Sequence, residues 1–156
     1  MKIAVIGGGG VRSMFLAKSL AQGSEELGFD EIVFMDNDEK KLNIYGRMSA
    51  QLVKTLHPGL DFKLTTDPVE AVKDADYIIT TIRVGGDDMR IRDEKAALAK
   101  HLLGQETTGA AGFSFAMRSV PALAEYCELA KKYASPDVKI FNFTNPAGVV
   151  SQTLRD

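Results

Sequence analysis

Four consecutive glycines, Gly7 to Gly10, stand between a short apolar run and a helical pattern. A pyrophosphate is held by backbone N–H groups at a helix N-terminus, and a Cβ there would keep it at a distance. The spacing is short of the full dinucleotide pattern. Gly7-x-Gly9 leads to Arg12, and Gly8-x-Gly10 leads to Ser13, where a third glycine is expected. Asp36 supplies the other half of the signal. It ends the apolar run Ile32 to Met35, where a carboxylate can accept hydrogen bonds from the adenosine ribose hydroxyls. A carboxylate there repels a 2′-phosphate, so the pattern points to NAD over NADP. The alternative is a glycine turn followed by a helix-capping aspartate. Candidate cofactor contacts are Gly7, Gly8, Gly9, Gly10, Val11, Asp36 and Asn37, with Arg83 further along.

Three later segments carry polar groups of other kinds. Arg83, Arg90 and Arg92 follow a third apolar run, and guanidinium groups grip phosphate or carboxylate through paired donors. They read equally well as solvated charges on a surface helix. Gly104-Gln105-Glu106-Thr107-Thr108-Gly109 sets polar side chains between glycines, as an active-site loop or a plain helix connection would. Asn145 precedes Pro146 after another run. Its amide suits a substrate hydroxyl, and local chemistry favours helix capping first.

The elements that must position these groups alternate. Strands are expected at Ile3–Ile6, Ile32–Met35, Phe62–Thr65, Tyr77–Ile82 and Val138–Phe143. The first helix is expected to turn Val11, Met14, Phe15 and Leu20 inward, and the second Leu42, Tyr45, Met48, Leu52 and Leu56, ending at His57-Pro58-Gly59. Asp67-Pro68 reads as a cap opening a short helix, and a charged helix is expected through Lys100. A long helix follows with Met117, Val120, Leu123, Ala124, Cys127 and Ala130 on one apolar face, and Pro146 opens a last one. Continuous apolar strands alternating with helices predict an α/β fold, a doubly wound parallel sheet of the Rossmann type, over residues 1–156. Its glycine turn and later Asn-Pro resemble those of the amino-terminal domain of lactate/malate dehydrogenases.

Composition narrows the function classes. Nineteen basic residues against 21 acidic leave a charge of −2, with no electrostatic footprint for nucleic acid or a membrane surface. The first apolar run is too short for a signal peptide or a membrane span. The one cysteine excludes an intrachain disulfide, and a cytoplasmic location is expected. Cys127 reads as a buried structural thiol. His57 and His101 have no metal-ligand spacing to a partner.

Taken together, the motifs resemble glycoside hydrolase family 4. The residues carrying the resemblance are Ile6-Gly7-Gly8-Gly9, Asp36-Asn37-Asp38, Thr66-Asp67-Pro68, Ile82-Arg83-Val84-Gly85-Gly86, the Gly104–Gly109 loop and Asn142-Phe143-Thr144-Asn145-Pro146-Ala147. The resemblance implies glycoside hydrolysis by a redox detour, outside the usual two-carboxylate chemistry. NAD takes hydride from C3 of the sugar, a base removes the C2 proton, the glycosidic oxygen leaves, water adds and the hydride returns. It also implies a divalent metal, usually manganese, a 6-phospho-glycoside substrate and a dimer or tetramer. By position, Arg90 and Asn145 match substrate-contacting residues, and Glu106 a glutamate that tunes the tyrosine base. Gly10 departs from the family's usual serine, and Ala110-Ala111 from its usual Pro-Gly.

In the family, the cysteine and histidine metal ligands and the catalytic tyrosine follow the Asn-Pro motif. None of Tyr45, Tyr77, Tyr126 and Tyr133 matches that base, and no metal ligand is expected within this chain. The expectation is an amino-terminal cofactor domain of a 6-phospho-β-glucosidase that binds NAD without turning glycosides over. Two other readings stand beside it. One is the cofactor domain of a 2-hydroxy-acid dehydrogenase, which leaves the Gln105-Glu106-Thr107 loop unexplained, and the other is a non-catalytic NAD sensor.

Overall fold

The computed structural model describes residues 1–155. In chain order the elements are β1 (Lys2–Ile6), α1 (Ser13–Leu27), β2 (Glu31–Met35), α2 (Glu39–Lys41), a π turn (Leu42–Gly46) running into α3 (Arg47–Leu56), and β3 (Asp61–Thr65). Then come α4 (Pro68–Val72), β4 (Tyr77–Thr80), α5 (Gly86–Leu98), α6 (Gly109–Tyr133), β5 (Lys139–Asn142) and α7 (Ala147–Thr153). The sheet order is β3-β2-β1-β4-β5, with β1 parallel to β2 and β4, and β2 parallel to β3. The winding direction reverses between β1 and β4. This is the doubly wound α/β sheet predicted by the alternation of elements, and such sheets bind ligands beyond the carboxyl ends of their strands.

The chain forms two compact units. The first comprises Met1–Thr80 and Leu129–Phe141, and the second Thr81–Glu128 with the residues from Asn142 onward. In the first unit Ile3, Val5, Ile32 and Phe34 form a cluster with Ala17 and Ala21 of α1 and Val53 of α3. Their strand neighbours Ala4, Ile6, Val33 and Met35 point the other way and are buried as well. Both faces are therefore covered, which is why these strands read as unbroken apolar runs. Phe34 and Phe62 meet at a tilt with ring centroids 4.8 Å apart. Asp67 caps α4 by accepting the Val69 N–H at 2.8 Å, with Pro68 in the first turn, as the sequence predicts.

Three helix faces differ from expectation. The buried face of α1 is Ser13, Ala17, Ala21 and Ser24, while Val11 and Phe15 are 65% and 71% exposed. Leu20 of the expected face does pack, half-buried, against the core cluster, as does Leu16, while small side chains at the centre of the face let the helix approach closely. Before His57 the inward residues are Leu42, Gly46, Ser49 and Val53, and Met48 and Leu56 are exposed. The four inward residues keep regular helical spacing from Leu42, and the large apolar residues at 45, 48, 52 and 56 lie to one side of that face, which is built of small side chains at Gly46 and Ser49. Gly46 sits where a Cβ would stand 2.9 Å from Leu64 Cδ2. In α6 Leu123 and Ala130 of the expected face are buried, together with Ala111, Phe115, Ala116 and Ser119, whereas Met117 is 61% exposed, Phe113 68% exposed, Ala124 exposed and Cys127 only half-buried. Among the described residues no helix is long and apolar enough to cross a membrane.

Candidate functional site

In the first unit the glycine turn follows β1 and Asp36 follows β2. Met35 C=O accepts the N–H groups of both Gly7 and Gly8 at 2.8 Å, and Asp36 Oδ2 accepts that of Gly9 at 2.9 Å. These three donors are thus already engaged, and the Gly10 N–H reaches Gly7 O at 3.4 Å. Val11 and Arg12, at the entrance to α1, have N–H groups with no acceptor among the described residues. The glycines accordingly provide room more than donors. A Cβ on Gly8 would lie 2.6 Å from Phe34 Cβ, and one on Gly9 would lie 2.8 Å from Asp36 Oδ2. Gly7 has φ 102°, which side chains disfavour. The sequence reading did not single out Arg12. Its signal was position alone, since first-turn N–H groups of a helix lack intrahelical partners.

Asp36 is half-buried, and its second oxygen accepts the Asp38 N–H at 2.9 Å. A carboxylate offers about four lone-pair sites, so acceptor capacity is left over for a ligand. Asp38, not Asp36, caps the helix that follows, by accepting the Lys41 N–H at 3.0 Å. That backbone hydrogen bond holds the Asp38 carboxyl below its ordinary pKa. Asn37 is exposed beside it. The cradle fits an adenosine diphosphate moiety: Cβ-free space, two open N–H groups at a helix entrance, and a fixed carboxylate.

In the second unit the geometry joins three residues that lie far apart in sequence. Gly85 (φ 83°) and Gly86 (φ 61°) turn the chain into α5, leaving Arg83 just ahead of the helix and Arg90 on it. Glu106, 19% exposed, lies between them. One of its oxygens is 3.3 Å from Arg83 Nη2 and the other 3.5 Å from Arg90 Nε. Arg90 also donates to Glu94 at 2.9 Å, and that hydrogen bond, with the charges of Glu94 and Glu106, raises its pKa above the ordinary value. Arg92 is exposed. The loop glycines have steric reasons: a Cβ on Gly104 would stand 3.0 Å from Glu94 O, and one on Gly112 2.7 Å from the Thr107 carbonyl carbon. The sequence reading missed the pairing of Asp93 on α5 with Arg118 on α6, where both guanidinium Nη atoms meet the carboxylate.

Asn145 is half-buried and no side chain caps α7, whose N-cap position is Pro146. The capping role favoured by local chemistry is therefore not taken up. The adjacent Thr144 is 1% exposed, and its Oγ1 accepts the Ile82 N–H at 3.1 Å. Asn142 Oδ1 accepts the Thr144 N–H at 3.0 Å, and its Nδ2 donates to Thr144 O at 3.3 Å and Ser151 Oγ at 3.2 Å. Among the described residues no cluster of three or more His, Cys, Asp or Glu side chains is placed to hold a metal ion.

The anchored glycine turn and the reversal in strand order put the first unit in the class of Rossmann dinucleotide-binding domains. The chain belongs to the Family 4 glycosyl hydrolases, whose pattern covers residues 2–156. It is similar to the 6-phospho-beta-glucosidase BglT of Thermotoga maritima, at 42% identity over 100% of this chain and 36% of the relative. A 6-phospho-alpha-glucosidase of Leptotrichia buccalis is 35% identical over 98% of this chain and 34% of its own length. The Thermotoga maritima 6-phospho-beta glucosidase, solved with manganese, NAD+ and glucose-6-phosphate, superposes with a TM-score of 0.92 at 39% identity, over 100% of this chain and 38% of that one. A lactate dehydrogenase from Eimeria maxima, at 18% identity and TM-score 0.66, shares the fold alone. The chain spans about a third of the length of the curated relatives it matches.

Proposed function

We propose that residues 1–156 form the NAD-binding domain of a 6-phospho-glycosidase, acting on β-glucosides, that opens O-glycosidic bonds by transient oxidation at C3, elimination, water addition and re-reduction. Family membership favours this over the 2-hydroxy-acid dehydrogenase reading, and the 42% identity to a 6-phospho-beta-glucosidase supports the β-glucoside preference. The substrate is a phosphorylated small glycoside, the assembly a homodimer or tetramer, and the location cytoplasmic. No nucleic acid or membrane partner is part of the reading. A divalent metal such as manganese belongs to the whole enzyme, with no ligands assigned among these residues.

The observation that carries the reading is Asp36, fixed by Gly9 and Asp38 with acceptor capacity to spare. Bound NAD supplies a hydride acceptor that later gives the hydride back. This chain's residues bind and orient. Gly7, Gly8, Gly9 and Gly10 admit the pyrophosphate, and Val11 and Arg12 donate to it. Asp36 accepts from the ribose, flanked by Asn37, and Arg83 contacts the cofactor. Arg90 and Asn145 face the sugar phosphate, and Glu106 sets the charge around them and tunes the tyrosine base of the whole enzyme.

Calorimetric titration of the chain with NAD and NADP tests the cofactor assignment. Wild type is expected to prefer NAD. Asp36→Ala is expected to lose at least about tenfold in NAD affinity, as losing hydrogen bonds to a charged acceptor implies. Equal NAD affinities for the two proteins would remove Asp36 from the site.

A further inference from the structure

We infer that Thr144 is a positioning residue: its hydroxyl fastens the turn carrying Asn145 to the segment carrying Arg83, fixing both. The inference rests on the proposed roles of Asn145 and the arginines and adds the device that aligns them.

Ile82 and Thr144 each immediately precede one of these residues, and the Ile82 N–H to Thr144 Oγ1 hydrogen bond is 3.1 Å long. Ile82 lies beyond the end of β4, and Thr144 beyond the end of β5. Past the strand ends a side-chain acceptor takes over the task that a neighbouring strand performs within the sheet. Thr144 is itself constrained. Asn142 clasps its N–H and its C=O and holds Ser151 on α7 through the same amide group. The linkage continues from Arg83 to Glu106 and on to Arg90. The buried hydroxyl therefore ties together three loops whose side chains would otherwise sample independent positions. A methyl in its place would strand the Ile82 N–H, a part-buried donor.

Thr144→Val keeps the shape and removes the acceptor, whereas Thr144→Ser keeps the acceptor. In Thr144→Val, exchange of the Ile82 amide is expected to rise about tenfold, with the Asn145 carboxamide and Arg83 guanidinium resonances shifted. In Thr144→Ser both readouts are expected to match wild type. Amides of β1 and β2 should keep their protection in both variants, which separates a local effect from general loosening. Unchanged Ile82 exchange and resonances in Thr144→Val would overturn the inference. If Thr144→Val does not fold, Thr144→Ser decides alone: wild-type readouts support the hydroxyl's role, and displaced ones overturn it.

The parent reading is tested separately by adding glucose 6-phosphate with NAD to wild type. If the Asn145 and Arg90 resonances do not respond, the sugar-facing reading fails, and the staple is still decided by the exchange data.

Discussion

Three neighbouring glycines face three different environments, and single alanine substitutions should separate them. At Gly8 the new Cβ would press on Phe34, a fully buried side chain at the centre of the first unit's cluster. Neither β2 nor the loop can yield cheaply, and overpacking of this kind costs about 1–3 kcal/mol. At Gly9 the Cβ meets the Asp36 carboxylate, a side chain that can swing aside at the expense of its Gly9 hydrogen bond. At Gly10 the nearest atom is Gly7 O at 3.6 Å, an ordinary contact. Chemical denaturation should therefore show Gly8→Ala destabilised, with Gly9→Ala and Gly10→Ala near wild type. NAD titration should show Gly9→Ala weakened through Asp36. If Gly8→Ala matched wild type in both measurements, the close approach of Phe34 would not limit that position.

The elements of this chain show where sequence reading succeeds and where it stops. The strand runs were legible because both faces of residues 3–6 of β1 and 32–35 of β2 are buried, so each of those residues had to be apolar. Asp67-Pro68 was legible because capping is local chemistry. Helix faces were less so. A helix can carry apolar residues that its own chain does not cover, and α6 does this with Phe113 and Met117. Periodicity marks an apolar stripe without telling which stripe is covered. The Glu106 bridge to two arginines and the Thr144 hydroxyl were equally hidden, since the partners are distant in sequence and threonine near a strand end looks like simple β-propensity. The exposed α6 face has its own test. Phe113→Gln and Met117→Gln are expected to change this chain's stability by less than about 0.5 kcal/mol, the usual range for surface sites. Phe115→Ala, on the buried face, should cost about 3–5 kcal/mol. A large loss in either glutamine variant, read by urea midpoint, would place that residue in the core.

At the scale of the molecule, the two units divide the proposed work. The first carries the Rossmann cradle, and the second carries Glu106 with its two arginines and the turn of Asn145. A ligand that binds only the folded state stabilises it by RT ln(1 + [L]/Kd), about 2.7 kcal/mol at a hundredfold excess over Kd. For NAD that gain must appear where the cradle is built. The slowest-exchanging amides of β1 and β2, which open only when the first unit unfolds, should slow by about a hundredfold under those conditions. NADP at the same concentration should protect them less, because Asp36 opposes its extra phosphate. Asp36→Ala should narrow that difference by removing both the ribose acceptor and the repulsion. The proposed pyrophosphate and ribose contacts all lie in the first unit, and Arg83 adds one cofactor contact just ahead of α5, so protection of α5 amides should be smaller than that of β1 and β2. If NAD protected α5 while leaving β1 and β2 unchanged, the glycine turn would not be the dinucleotide site. The four glycines and Asp36 would then be a structural corner of the sheet.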